Sequence, residues 1–172
     1  MMNTSNNAGR TDTPQTRSLI IYFTMTGNTQ KVAEIIQNYT AADIIRLETE
    51  VPYPDDYKKS IAISREEKNA NARPKLKTEF KNLDKYDTIY LGYPNWMATM
   101  PMPFFTLLEN YNFAKKTIIP FCTHGRGGIG TSIQDIKNSV QNATVLQPLV
   151  LAADDMSELE SKVTDWLSTI AN

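Results

Sequence analysis

Cysteine and histidine are almost absent from this sequence, and their scarcity excludes two classes of site. Among 172 residues there is one cysteine, Cys122, and one histidine, His124. A single cysteine cannot build an internal disulfide framework, and it is compatible with a reducing compartment. A single histidine cannot supply a metal site that needs two or more histidine ligands. Disulfide scaffolds and multi-histidine metal centres are therefore excluded.

A surplus of basic charge and a long apolar run are also missing. The formal net charge is −1, whereas a nucleic-acid-binding face needs an excess of lysine and arginine. No run approaches the roughly 18 to 20 apolar residues of a membrane span. With 41% hydrophobic and 22% charged residues, the composition is ordinary for a single globular domain with a real core. We expect a soluble protein that binds no nucleic acid and has no membrane span, with the cytoplasm as its default location.

The first 17 residues differ in composition from the rest. Met1–Arg17 is polar and lacks the apolar segment of a signal peptide. We predict a flexible N-terminal tail over residues 1–17, or a linker left after a removed signal. One domain is predicted over residues 18–172.

From Ser18 onward, apolar runs alternate with segments of helical periodicity. Residues 18–23 are apolar without alternation, which is typical of a buried parallel strand. Apolar residues recur at helical spacing between the runs, most clearly from Met156 to Ile170. Strands that alternate with helices indicate an α/β fold, with a parallel sheet covered on both faces. The predicted strands are residues 18–23, 43–47, 87–92, 117–122 and 143–151, the last disturbed by Pro148.

The helices between these strands carry local signals of their own. A weakly amphipathic helix is predicted around Tyr57 and Ile61, with the charges of residues 58–68 forming a solvated face. Ser132 with Asp135 predicts one capping pair, and Asp155 with Glu158 predicts another at the start of the last helix. Further helices are predicted from Gln30 to Ile36, from Phe104 to Tyr111, and from Ile133 to Val140.

Three unusual loops follow strands, after Phe23, after Gly92 and after Cys122. Ligands of open parallel sheets bind beyond the carboxyl ends of the strands. All three loops should therefore open on the same edge of the sheet. This predicted convergence is the main functional inference from the element order.

The first loop predicts an anion site. It reads Thr24, Met25, Thr26, Gly27, Asn28, Thr29, and a helix follows it. The first N–H groups of a helix lack internal partners, and threonine hydroxyls add donors. Asn28 stands where a nucleotide-hydrolase loop needs lysine, so we predict a phosphate that is held rather than transferred. The alternative is a threonine-rich turn that only caps the helix.

The second loop predicts a site for a planar group. Trp96 offers a broad ring face for stacking, although it can equally be an ordinary core tryptophan. Met97, Met100 and Met102 are interpreted as gap-fillers in preference to electron relays. The loop begins with Tyr93, Pro94, Asn95, Trp96 and Met97.

The third loop is rich in glycine, which frees backbone N–H groups to face a ligand edge. It contains His124, Gly125, Arg126, Gly127 and Gly128. We favour a hydrogen-bonding role for His124 over that of a general base, since no nucleophile partner is evident. Arg126 can stabilise negative charge on a reduced cofactor, or it can simply face solvent.

Together these motifs resemble the flavodoxin family. Residues 24–29 look like its FMN-phosphate loop, while Gly92–Trp96 and Thr123–Gly128 look like the two isoalloxazine loops of a flavodoxin-like branch. The resemblance runs from Ser18 to Ile170. It implies a three-layer, doubly wound, five-stranded parallel sheet in the order 2-1-3-4-5, of the short-chain type, with non-covalent FMN. The cofactor-binding residues it implies are Thr24, Met25, Thr26, Gly27, Asn28, Thr29, Tyr93, Pro94, Asn95, Trp96, Met97, His124, Gly125, Arg126, Gly127 and Gly128.

The sequence departs from electron-carrier flavodoxins in three respects. Its third loop has no aromatic residue, and its charge is nearly neutral instead of strongly acidic. Met97 and Ala98 stand where carriers tend to have a glycine whose peptide flip supports one-electron reduction. A positive φ is costly for either residue. These departures bear on the one-electron role and leave FMN binding intact.

Three functions are compatible with these observations. The leading hypothesis is an FMN-binding redox protein that passes electrons between partner proteins. The alternative is an FMN-dependent NAD(P)H oxidoreductase of quinones or similar acceptors, which a bare glycine loop favours by leaving one flavin face open. A flavin-free binding module is the third, and it leaves the convergence of three loops without a purpose.

Overall fold

A computed structural model describes residues 17–171, and they form an α/β sandwich of three layers. The strands are β1 (Ser18–Tyr22), β2 (Asp43–Arg46), β3 (Thr88–Pro94), β4 (Thr117–His124), β5 (Thr144–Val145) and β6 (Leu149–Ala152). The helices are α1 (Asn28–Thr40), α2 (Tyr57–Asn69), α3 (Met102–Asn110), α4 (Ser132–Ser139) and α5 (Leu159–Ile170). Residues 1–16, which hold almost all of the predicted tail, lie outside the described residues. Arg17 belongs to the fold, because its carbonyl accepts the N–H of Asp87 at 3.0 Å.

The sheet is parallel and has the predicted order, β2-β1-β3-β4-β5. The fifth position is occupied by two short strands, since both β5 and β6 pair with β4. The predicted single strand over residues 143–151 is therefore interrupted, and Pro148 lies immediately before β6. Proline has no N–H to give to the neighbouring strand, which explains the break.

Helices cover both faces of the sheet, and each face has its own core. Ile20 points to a cluster with α1 and α5, where Val32 and Val163 are fully buried. Ile21 points to the opposite cluster, which includes Leu107 of α3 and Ile136 of α4. Successive strand residues alternate between the faces, so burial on both sides requires the unbroken apolar runs seen in the sequence.

Both predicted capping pairs are wrong. The hydroxyl of Ser132 donates to the Ile129 carbonyl at 2.8 Å, and Thr131 occupies the cap position of α4. Helix α5 begins at Leu159 without a side-chain cap, while Asp155 pairs with Lys162 at 2.9 Å. Capping patterns are short, and nearby carbonyls or lysines compete for the same side chains.

The predicted helix around Tyr57 is confirmed as α2, with Asp56 accepting the Lys59 N–H at 2.8 Å. Its charged face is solvated with one exception, because Glu67 is half-buried and accepts a hydrogen bond from the Tyr53 hydroxyl at 2.7 Å. Within residues 17–171, no helix has the length and apolarity to cross a membrane.

Candidate cofactor site

The three predicted loops meet at one edge of the sheet. Strands β1, β3 and β4 are adjacent and parallel, so their carboxyl ends lie side by side. The Asn95 N–H of the second loop donates to the Thr123 carbonyl of β4 at 2.8 Å. The Thr29 and Thr123 hydroxyls are 2.8 Å apart in a buried hydrogen bond. The convergence predicted from the element order is confirmed.

The first loop turns sharply into α1 at Gly27. This residue has φ of 90°, a conformation that glycine adopts without the strain of a side chain. Its N–H donates to the Thr24 hydroxyl at 3.0 Å, and its carbonyl accepts the Lys31 N–H at 3.1 Å. The first N–H groups of α1 have no partner within the helix, and the helix dipole adds partial positive charge. The local geometry suits an anion.

The three threonines of the first loop have different roles. Thr24 is buried and its hydroxyl supports the turn, whereas Thr26 is exposed at the tip. Thr29 is buried and shares one hydrogen bond with Thr123. Two hydroxyls joined by one hydrogen bond keep one further O–H proton, so this pair can still donate to a ligand.

Arg46 adds positive charge beside this loop. It ends β2, and its Nη2 donates to the Thr24 carbonyl at 3.2 Å. The sequence analysis did not predict this residue as part of the site. Its position at the carboxyl end of a predicted strand could have indicated it, because ligands bind at that edge of a parallel sheet. A guanidinium near the loop favours a ligand with negative charge.

Asn95 is fixed at two points and leaves one atom unpaired. Besides its backbone bond to Thr123, its Nδ2 donates to the Gly128 carbonyl of the third loop. Its Oδ1 is buried without a hydrogen-bond partner. The Nδ1 of His124, at the end of β4, is also buried without a partner. Buried polar atoms rarely lack partners, and these two belong to residues that line the same cleft, which favours a ligand with a polar edge.

Trp96 is packed as a core residue and only 3% of its surface is exposed. Its ring lies edge-to-face with Phe23 and Tyr53, at centroid distances of 5.2 and 5.1 Å. Of the two open readings, this geometry favours core packing over a free stacking platform. Met100 and Met102 are also buried, as expected of gap-fillers.

Met97 and Ala98 form a two-residue turn in which both residues have positive φ, at 52° and 63°. Trp96 and Thr99 close the turn with paired backbone hydrogen bonds of 2.9 and 3.1 Å. The sequence analysis expected a positive φ to be energetically costly for these two residues, yet both adopt it. The turn is held from outside, because the Ala98 carbonyl accepts the Thr131 N–H at 2.8 Å. A Cβ on Gly130 would lie 1.9 Å from the same carbonyl oxygen, so only glycine admits this approach.

A cleft of about 320 Å³ opens between the loops, near the lower end of the range for small-molecule sites. Of the sequence-predicted residues, the cleft brings together Met25, Thr26, Asn28, Pro94, Asn95, Trp96, His124 and Gly125. The other predicted residues do not line it: Thr24, Gly27, Thr29, Tyr93, Met97, Arg126, Gly127 and Gly128. Sequence reasoning missed three lining residues, Tyr57, Thr123 and Ala153. Of these, Tyr57 was predicted only as part of a weakly amphipathic helix, and that pattern does not indicate a binding site.

Two reactive groups near the cleft are held inert by burial. Burial raises the pKa of the Cys122 thiol to about 12, so the thiolate needed for nucleophilic chemistry is disfavoured. Burial also raises the pKa of Tyr93, whose hydroxyl donates to Ser132 at 2.9 Å inside the protein. Within residues 17–171, no group of three or more His, Cys, Asp or Glu side chains is placed to hold a metal ion. The arrangement can bind and orient a ligand.

The family model described as Flavodoxin matches residues 17–170. The chain belongs to the flavodoxin family. This match covers nearly all the described residues of the flavodoxin-family chain, including all three loops. A comparison with curated protein sequences gives no match.

Solved structures with the same fold include several flavoproteins. One, from Bacteroides eggerthii and assigned as a flavoprotein, is 26% identical with a TM-score of 0.78, covering 92% of this chain and 99% of its own. Another, from Bacteroides uniformis with the same assignment, is 25% identical with a TM-score of 0.74, covering 89% and 98%. A Lactobacillus acidophilus flavoprotein in complex with FMN is 21% identical with a TM-score of 0.65, covering 86% and 99%. The last likeness shows the shared fold.

Proposed function

We propose that this flavodoxin-family protein binds FMN non-covalently in the cleft and transfers electrons between partner proteins. The observation that carries the proposal is that Asn28, at the start of α1, lines one cleft together with Asn95 and His124, each of which has a buried polar atom without a partner. The FMN complex of the Lactobacillus acidophilus relative supports the choice of cofactor. When bound, FMN supplies the redox chemistry, and the protein supplies binding, orientation and electrostatics.

Each part of the site has a distinct task in this proposal. The first loop and the N-terminus of α1 hold the phosphate through N–H groups and hydroxyls, with Arg46 adding positive charge nearby. Asn95 Oδ1 and His124 Nδ1 bind the polar edge of the ring system. Trp96, packed against Phe23 and Tyr53, forms a rigid apolar wall that keeps water from that side.

The alternative function is an FMN-dependent NAD(P)H oxidoreductase of quinones or similar small acceptors. The third loop favours it, since Gly125, Arg126 and Gly127 are exposed and bring no aromatic side chain over the cleft. A site without that cover leaves room for a second small molecule beside the cofactor. Arg126 is exposed in the same loop, and its positive charge then favours the approach of an anionic substrate.

An anaerobic reductive titration followed by absorbance tests both functions. A carrier is expected to take up electrons in two resolved one-electron steps and to oxidise NAD(P)H slowly without a partner protein. A reductase is expected to be reduced in one two-electron step and to oxidise NAD(P)H directly with a quinone. A protein that is colourless and cannot be reconstituted with FMN contradicts both.

A further inference from the structure

The turn at Met97 and Ala98 needs an external support. Two consecutive side-chain-bearing residues with positive φ are strained, and such a turn persists only where its surroundings fix it. The turn follows directly on Asn95 and Trp96, which line the cleft. Its conformation therefore acts on the position of these two side chains, together with the bonds of Asn95 and the packing of Trp96.

The support comes from the first turn of α4 through one carboxylate. The hydroxyl of Thr99, the last residue of the turn, donates to Asp135 Oδ2. The hydroxyl of Thr131 donates to the same oxygen at 2.7 Å. Thr131 in turn gives its N–H to the Ala98 carbonyl at 2.8 Å. Asp135 thus connects Thr99, which ends the turn, with Thr131, which holds the carbonyl of Ala98.

The hydrogen bond between Thr99 and Asp135 is partly shielded from solvent. Thr99 is 1% exposed, and Asp135 is half-buried. Gly130, with φ of 58°, lets the chain before α4 approach the Ala98 carbonyl. The helix dipole also favours a carboxylate in the first turn of α4, where Asp135 accepts both hydroxyl bonds.

We propose that Asp135 is a positioning residue of the cofactor site, which holds the Met97–Ala98 turn through Thr99 and Thr131 and so fixes Asn95 and Trp96 in the cleft wall. This inference rests on the proposed FMN binding at that cleft. A fixed turn holds Asn95 and Trp96 in one place in the wall of the cleft. Releasing the turn is therefore expected to change both the affinity for FMN and the midpoint potential of the bound cofactor.

The test compares Asp135→Ala with Asp135→Asn and with Asp165→Ala, an exposed carboxylate on α5. Loss of the two hydroxyl bonds in Asp135→Ala should raise the Kd for FMN roughly threefold to tenfold and shift the midpoint potential. Asp135→Asn keeps an acceptor oxygen for both hydroxyls and should restore most of the affinity. Asp165→Ala should match the wild type. Amide hydrogen exchange of the apo-protein should be faster at Thr99 and Thr131 only in Asp135→Ala.

The possible outcomes separate this inference from the proposed function. A folded Asp135→Ala protein with wild-type Kd, potential and exchange overturns the positioning role, as does an Asp135→Asn protein that behaves like Asp135→Ala. If Asp135→Ala does not fold, Thr99→Val removes one hydroxyl alone, and wild-type values in that variant also overturn it. A wild-type protein that binds no FMN overturns the proposed function instead, and the exchange data then decide whether Asp135 holds the turn.

Discussion

At the scale of single residues, Asn95 is the side chain that joins the loops to the cleft. Its backbone N–H and its Nδ2 are both used within the protein, and its Oδ1 is buried without a partner. The first two bonds fix the direction of the third atom. A ligand donor that meets this oxygen gains a hydrogen bond without the cost of ordering the side chain.

We predict that Asn95→Ala lowers the affinity for FMN about threefold to tenfold, because it removes the acceptor and also releases Gly128. Titration of the apo-protein with FMN, followed by flavin fluorescence, measures the change. Gln141→Ala, which removes a side-chain amide at an exposed loop position, is the control and should bind like the wild type. Equal affinities in the two variants would remove Asn95 from the site.

The half-buried carboxyl of Glu67 should make the stability of the protein depend on pH. Burial raises the pKa of its carboxyl, and the hydrogen bond from Tyr53 partly opposes this. A raised pKa in the folded state means a contribution to stability that is complete below the unfolded pKa and is lost as the pH rises through the folded pKa. Glu67→Gln cannot ionise and keeps an acceptor for Tyr53. As the pH rises from about 4 to neutrality, the free energy of unfolding of this variant should therefore increase relative to that of the wild type.

Urea unfolding at a series of pH values tests this expectation. Glu66→Gln, on the exposed face of the same helix, is the matched control for the removal of one carboxylate from α2. A difference between Glu67→Gln and the wild type that stays constant over the whole pH range contradicts the raised pKa.

At the scale of elements, the junction of β1 and α1 depends on the backbone of Gly27. A Cβ there meets no atom within 4 Å, so the only obstacle to a side chain is φ of 90°. Gly27→Ala should therefore cost roughly 1 to 2 kcal/mol of stability and weaken FMN binding, because the turn that presents the N–H groups is distorted. Thermal unfolding and FMN titration measure the two effects.

Gly125→Ala is the matched control for this change. A Cβ at Gly125 also meets open space, and this glycine does not have a positive φ. It should leave stability within about 0.5 kcal/mol of the wild type. If both alanine variants lose the same stability, the positive φ of Gly27 does not limit the residue at that position.

The pairing of β3 with β4 gives a second test of element packing. Gly92 faces Phe121 in register, and a Cβ on Gly92 would lie 2.1 Å from the Phe121 ring. Gly92→Ala should destabilise by about 1 to 3 kcal/mol through overpacking. Adding Phe121→Leu should recover part of that loss in a double-mutant cycle, measured by denaturant unfolding. Strictly additive losses would mean that the two residues do not compete for the same space.

The sequence predicted the elements well where periodicity and burial agree. The unbroken apolar run at residues 18–23 and the spacing from Val163 to Leu167 are direct consequences of burial on both sheet faces and on one helix face. The ends of β3 and β4 were placed too early, since these strands continue to Pro94 and His124, whereas the ends of β1 and β2 were placed one residue too late. These extensions depend on pairing with a neighbouring strand, which no local pattern contains.

The sequence predicted which three loops form the site, and it did not predict how the residues within these loops are arranged. The positive φ at Met97 and Ala98 is fixed by Thr131 and Gly130, far along the chain, so local propensity gave the wrong expectation. Trp96 could be read as a stacking face or as core, and only its packing against Phe23 and Tyr53 separates the two. Local patterns identify which segments converge, and tertiary contacts decide how they are oriented.

At the scale of the whole molecule, the central claim is that the cleft binds FMN through its phosphate. Ligand binding to the folded state alone raises stability by RT ln(1 + [L]/Kd), about 2.7 kcal/mol at 100 times the Kd. FMN should therefore raise the thermal midpoint in a concentration-dependent way. Riboflavin has the same ring system without the phosphate, so it isolates the contribution of the first loop.

The most direct measurement is a titration of the apo-protein with FMN and with riboflavin under the same conditions. We predict that FMN binds at least about tenfold more tightly, because charge-assisted hydrogen bonds to the phosphate are lost with riboflavin. Gly27→Ala should reduce this difference, since the first loop supplies those bonds. Equal affinities for the two flavins, or no binding of either, would contradict the claim.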